Sequence, residues 1–256
     1  MLLEEYHGIL LNMLLDFKKV CLKNNIKFYL AGGTALGAIR HHGFIPWDPD
    51  IDLVLPRESF DRVKDAVEND LPCFYQMVLG PTGGKYDLIR NDISVEVEDE
   101  NGKKSDLFHP YIDLFPLDGI SSNRLLQKNR MMLIHFARLG VKMADIQKCH
   151  VGSDRYRWKN ALIRTCKALH TEKWMSPDIP KKIWRNLAQK NDFDSSNWFF
   201  AAYGVFGFKE IMPKKWIGEG ETVLFEGNEF KVYQEYDKYL TQLYGDYMTP
   251  KKKIVR

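Results

Sequence analysis

The sequence predicts an α+β fold, a mixed-sheet core with flanking helices and a basic helical segment. Three observations carry this. Short apolar strands alternate with helical stripes over residues 1–122, long basic helical stretches fill 123–192, and a hairpin with a closing helix occupies 193–256, packing back on the core. A chain of 256 residues that is 45% hydrophobic is long enough to bury a real core, which argues against disorder.

Each element has a local cause. Leu2, Tyr6, Ile9, Leu10, Met13, Leu14, Phe17, Val20 and Cys21 recur at helical spacing, and Asn24 and Asn25 stop the stripe. "IKFYL" (26–30) then reads as a strand that ends at Gly32 and Gly33, with Thr34 placed to cap a short helix through Arg40. "DIDLVL" (50–55) is the next strand, and Pro56 opens a helix with Phe60, Val63 and Val67 on one face. "ISVEVED" (93–99) and "YIDLF" (111–115) read as two further strands around the turn-rich "ENGKKSD". Beyond Asn123, Pro177 and Pro180 punctuate the helices, and another helix starts at Lys181. "TVLFEGNEFKV" is a hairpin turning at "EGNE", and Tyr236, Tyr239, Leu240, Leu243 and Tyr244 line the last helix.

Composition limits the function classes. No apolar run of about 18 residues spans a bilayer, and the amino terminus lacks signal-peptide order, so a cytoplasmic protein is expected. Cys21, Cys73, Cys149 and Cys166 are widely spaced without CxxC or Cys/His pairing; buried thiols are expected, not zinc ligands or disulfides. Net charge is +3, but residues 124–190 carry 16 Lys and Arg against 4 Asp and Glu, leaving −9 on the remainder. That asymmetry fits an anionic partner, or equally a set of solvated helices.

The chemistry concentrates in "FYLAGGTALGAIRHHGFIPWDPDIDLVL" (28–55). Asp50 and Asp52 alternate with Ile51 and Leu53, so both carboxylates leave one side of the strand and repel unless a positive charge offsets them. Hard carboxylate oxygens beside a phosphate substrate are what Mg²⁺ (or Mn²⁺) takes in phosphoryl-transfer sites. Asp113, flanked by apolar residues in "YIDLFPLDG", is the favoured third ligand. It is preferred over Glu96 and Glu98, read as a hairpin's wet face, and over Asp118, read as a turn residue. Asp48 reads as an outer ligand or a turn aspartate before Pro49. "AGGT" lacks the Walker lysine, yet a glycine turn feeding a helix leaves backbone N–H groups for phosphate oxygens. Arg40 adds a bidentate phosphate contact or lies on the surface.

Strand, glycine pair, short helix, DxD and a later single Asp resemble the DNA polymerase β type nucleotidyltransferase fold. More narrowly, "GGTALGAIRHHGFIPWDPDIDL", "YIDLFPLDG" and "YLTQLYGDYM" resemble the LicD family of phosphocholine transferases, which includes the fukutin-related group. The resemblance implies a bacterial enzyme with a nucleotidyltransferase-like core. It would transfer phosphocholine from CDP-choline to a sugar hydroxyl of a surface glycan precursor of teichoic acid, lipopolysaccharide or capsule type, releasing CMP. Asp50, Asp52 and Asp113 would then bind metal, with Asp48 beside them in catalysis. Gly32, Gly33 and Thr34 would hold the donor phosphates, and Arg40 and His41 match the family's "RH".

This chain departs from the family at Pro49, where an acidic residue is usual, and in its tail "YMTPKKK". Trp47, Trp198, Tyr203 and Tyr233 are candidate aromatic contacts for a trimethylammonium group. The basic stretch would face an anionic lipid-linked or polymeric glycan acceptor, with peripheral contact at the inner membrane surface and no nucleic acid. Alternatives are transfer of ribitol or glycerol phosphate, nucleotidyl transfer to a small molecule or RNA, and non-catalytic glycan binding.

Overall fold

A computed structural model describes residues 1–80, 82–98, 102–148, 157–168, 170 and 176–250. The opening helix α1 (Leu3–Lys23) buries the predicted stripe from Tyr6 to Cys21 except Ile9, which is half-buried, while Leu2 stays exposed. Glu5 accepts the Leu2 N–H at 2.8 Å and, with Glu4, places negative charge at the positive end of the helix dipole. After β1 (Tyr29–Leu30), the short helix α2 (Gly32–His41) begins two residues before Thr34. Thr34 is therefore not its cap: its side-chain oxygen accepts the Asp52 N–H at 2.8 Å and ties α2 to the next strand instead.

That strand, β2 (Asp52–Pro56), runs straight into α3 (Arg57–Asp70), as Pro56 predicts. Two strands the sequence reading passed over follow, β3 (Tyr75–Leu79) and β4 (Tyr86–Arg90), and then the ten-residue β5 (Tyr111–Ile120). The sheet order β1-β2-β5-β4-β3 is mixed, with β2 and β5 parallel and the other neighbours antiparallel. "ISVEVED" is not a strand. Val95 and Glu98 make only isolated bridges, because β4 already fills the edge of β5 that an added strand would need, and Asp99 lies outside the described residues.

The far end of β5 leaves this sheet and pairs through Asp118, Gly119 and Ile120 with β6 (Trp198–Phe200), which pairs with β7 (Ile211–Pro213). Asp118 is consequently not a turn residue. It is 1% exposed and grips Arg57 through two 2.8 Å hydrogen bonds. Under this end a second apolar cluster gathers Ile134, Trp184 and Phe200 from α4 (Arg124–Ala144), α6 (Asp178–Ala188) and β6. Between them in sequence lies α5 (Arg157–Ala168). The helix expected from Lys181 starts earlier, with Pro180 in the first turn, where its missing N–H costs no intrahelical bond.

The hairpin β8 (Glu221–Phe225) and β9 (Asn228–Val232) turns at Glu226 and Gly227, both at positive φ (+49° and +73°), the geometry of a tight primed turn. Helix α7 (Tyr236–Tyr244) closes the chain, burying Tyr239, Leu240 and Leu243 in the main core beside α1 and the sheet. Of the thiols expected to be buried, Cys21 is and Cys73 is not; Cys149 and the side chain of Cys166 lie outside the described residues. Among the described residues no helix is long and apolar enough to cross a membrane.

Candidate active site

The parallel register of β2 and β5 sets Asp52 directly beside Asp113, and the antiparallel register of β5 and β4 sets Asp113 beside Asp87. Three carboxylates thus form one row across three neighbouring strands, each step about 4.8 Å. Lys85, just before β4, lies among them, ion-paired with Asp113 and 2.9 Å from Asp87. Its stem also brings the ammonium 5.3 Å from the centre of the Phe115 ring. Asp87 and Lys85 were missed in the sequence, although Asp87 sits between Tyr86 and Leu88 much as Asp113 sits between Ile112 and Leu114.

Lys85 does not balance the row. Burial, and then the charges of Asp113, Asp50 and Asp48, push the Asp52 carboxyl up to about 8. Burial likewise raises Asp113 to about 6, even with the Lys85 hydrogen bond pulling it down. Carboxyls displaced this far are short of neighbouring positive charge.

The glycine pair meets this row from the side. A Cβ on Gly32 would stand 2.6 Å from Asp52 Oδ2, and one on Gly33 would collide with Asp48 Oδ2, so only glycine lets the helix start come this close to both aspartates. Gly32, at φ +51°, donates its N–H to the Tyr239 hydroxyl at 2.8 Å, which fixes the turn from the closing helix. Asp48 is held from the other side: His7 Nε2 lies 2.8 Å from its carbonyl, and the His7 ring stacks on Phe44 at 4.1 Å. Phe44 N–H in turn donates to Glu226 of the hairpin turn at 3.0 Å. Distant segments therefore build the loop that bears Asp48 and Asp50.

Gly32, Gly33, Asp48, Asp50, Asp52 and Asp113 accordingly converge, with Asp50 exposed at the mouth. Thr34 is buried beneath them as a strut. Arg40 and His41 stand at the other end of α2, where Arg40 donates to the Tyr247 carbonyl at 2.7 Å and His41 meets Trp47 edge-on at 6.2 Å. Tyr244 joins the two ends: its phenol, raised first by burial, feels Asp52 and Asp48 on one side and Arg40 on the other. Of the aromatic candidates, Tyr203 stacks on Trp184 and Tyr233 is 2% exposed among core rings. Trp198 lies in β6, packed against the second cluster; these three are structural, and Trp47 alone flanks the aspartates.

Among the described residues no three His, Cys, Asp or Glu side chains are already gathered as a ligand set. The donor chemistry nevertheless fits a hard divalent cation: Asp52 and Asp113 stand side by side with their carboxyls raised by burial, so a bound cation would favour the ionised form of both.

Comparison with known proteins places the chain in a family. The model of the LicD/FKTN/FKRP nucleotidyltransferase domain matches residues 25–142, which span the glycine turn and every aspartate of the row. The lipopolysaccharide cholinephosphotransferase LicD of Haemophilus influenzae is 31% identical over 96% of this chain and 91% of its own length. An uncharacterised protein of Rickettsia typhi is 30% identical over 45% of this chain and 36% of its own, and one of Rickettsia prowazekii is 38% identical over 27% and 24%. Likeness that runs nearly end to end and takes in the whole aspartate site has one reading: the chain belongs to the LicD family.

Proposed function

We propose that this LicD-family transferase moves phosphocholine from CDP-choline to a sugar hydroxyl of a lipopolysaccharide-type glycan precursor and releases CMP. The observation that carries the reading is the Asp52–Asp113 row set against the Gly32–Gly33 turn, inside the segment matched by the family. An acceptor oxygen attacks the choline-bearing phosphorus, forming one P–O bond while the bond from that phosphorus to CMP breaks. The hydroxyl proton passes to a carboxylate, Asp113 or Asp50. Asp50, Asp52 and Asp113 would hold Mg²⁺ or Mn²⁺, which when bound lowers the acceptor's pKa and neutralises charge on the departing phosphate. Lys85 keeps Asp113 oriented, and the α2 start offers backbone N–H groups to the donor phosphates.

Phosphorus NMR of the protein with Mg²⁺, CDP-choline and a lipid-free glycan extract tests this. CMP and a new phosphodiester signal are expected, and both should vanish with EDTA. Silence with CDP-choline but CMP release from CDP-ribitol or CDP-glycerol would change the donor; pyrophosphate release from ATP or CTP would change the reaction.

The acceptor reading extends to the membrane surface. One face of α4 leaves Leu125, Leu126, Met132, Leu133, Phe136 and Leu139 between 49% and 65% exposed, in the most basic part of the chain. Apolar residues flanked by Arg124, Lys128 and Lys142 suit the boundary of an anionic leaflet. Flotation with vesicles rich in phosphatidylglycerol is expected at low salt and should be lost in Leu133→Glu/Phe136→Glu. No flotation of the wild type would sink the membrane contact.

A further inference from the structure

Beside the aspartate row lies a cleft of about 480 Å³ that the chemistry above leaves unused. Its walls include Tyr6, Trp47, Phe108 and Tyr111, and Asp50 stands on its edge. The rings are set as a corner rather than a stack. Tyr6 meets Phe108 at 78° with centroids 5.5 Å apart, and Phe108 meets Tyr111 at 71° and 6.4 Å, so ring faces and edges enclose the space from different directions. Trp47 is half-buried and belongs to the same loop as Asp48 and Asp50, while Tyr111 shares a face of β5 with Asp113, two residues on.

We propose that this cleft is the head-group subsite and that it takes a quaternary ammonium; the assignment rests on the phosphocholine reading above. A trimethylammonium group is large, weakly hydrated and cationic, and it gains most where aromatic faces surround it and a carboxylate stands near. The cleft supplies both, and Asp50 in its lining lies close to Asp52, where the row that handles the phosphate begins. A zwitterion lying from the rings to the row would place its phosphorus at the aspartates and its nitrogen among the rings.

Two lysines at the cleft bear on the sign of the ligand. Lys104 is 60% exposed and ion-paired with Glu96 at 3.0 Å, and Lys103 is likewise exposed, so both charges stand at the rim rather than among the rings. The rim then suits the anionic part of a donor or acceptor, and the ringed part its cation.

The test is calorimetric titration of the full chain with phosphocholine and with phosphoethanolamine, which keeps the phosphate but lacks the methyl groups. The wild type is expected to prefer phosphocholine by about tenfold, and Trp47→Leu and Phe108→Leu to lose most of that preference, with Trp47→Phe retaining it. Melting temperatures of the variants separate a lost site from a lost fold; Trp47, half-buried against the core, should cost only a small drop in melting when replaced by Leu. Variants that keep the full preference would overturn the cleft assignment and leave phosphocholine transfer standing. Binding of CMP that is lost in step with phosphocholine would also overturn it, by making the cleft a base site. A wild type that binds neither phosphocholine nor CDP-choline would overturn the phosphocholine reading itself, and the subsite with it.

Discussion

Replacing Asp52 with Asn should lower turnover on the order of 10³-fold or more without harming the fold. The backbone of Asp52 does the structural work at this position: its N–H donates to Thr34 and its carbonyl accepts from Ala31, and both contacts survive the substitution. What the amide loses is a carboxylate oxygen at the end of the row, beside Asp113 and against the glycine turn. The same change should relieve the protein of a burden when no metal is present. The Asp52 carboxyl rises from an ordinary 3.8 to about 8 on folding, through burial and then the charges of Asp113, Asp50 and Asp48. Between those values the native state binds more protons than the unfolded chain, so this group's contribution to stability is full below about pH 4 and is lost as pH rises through about 8. In EDTA, then, Asp52→Asn should melt no lower than wild type at pH 5 and progressively higher toward pH 8. Adding Mg²⁺ should raise the melting temperature of the wild type more than that of the variant. An Asn variant that turns over CDP-choline at the wild-type rate with ordinary metal dependence would remove Asp52 from the chemistry.

That site was legible in the sequence where a single segment held the information. Asp50 and Asp52 stand out as alternate acids before an apolar run, although the strand expected from Asp50 begins only at Asp52 and leaves Asp50 on the preceding loop, and Gly32 and Gly33 stand out because few other residues fit such a turn. Asp113 could be chosen from several acids by its apolar neighbours, and the register sets it beside Asp52. The same criterion applied to "KYDLIR" would have found Asp87 and with it Lys85, but the glycines before that segment conceal a strand only five residues long. Asp118 was misread since "LDG" has the composition of a turn, whereas β5 continues to Ile120 and pairs through its last three residues with β6, far away in sequence. Thr34 shows the same limit: a threonine after a glycine turn reads as a cap, and only the approach of β2 reveals a different partner. Contacts that support the site from afar, Tyr239 to Gly32 and His7 to Asp48, have no local signature whatever.

The second large effect is expected at Asp118, away from the chemistry. Asp118→Ala should destabilise the protein by about 3–5 kcal/mol, read as a lowered urea midpoint, because it strands the Arg57 guanidinium in a largely enclosed place. Asp61 relieves this only in part: it reaches Arg57 at 3.3 Å but is itself 59% exposed. The intact pair need not be a large net asset. Burial pushes the Asp118 carboxyl up even with Arg57 beside it, which means that desolvation outweighs the attraction at this carboxylate. Arg57→Met/Asp118→Leu should therefore recover most of what Asp118→Ala loses. Position explains what the pair does instead. Arg57 follows directly on β2, and Asp118 lies one residue beyond the last β2 partner on β5, so the bidentate grip holds the register that places Asp52 beside Asp113. The double variant should consequently regain stability more fully than turnover, since two apolar chains fill the space without fixing the slide of one strand along the other. A double variant restored in both, or a loss below about 1 kcal/mol in Asp118→Ala, would show that the strands keep their register without the pair.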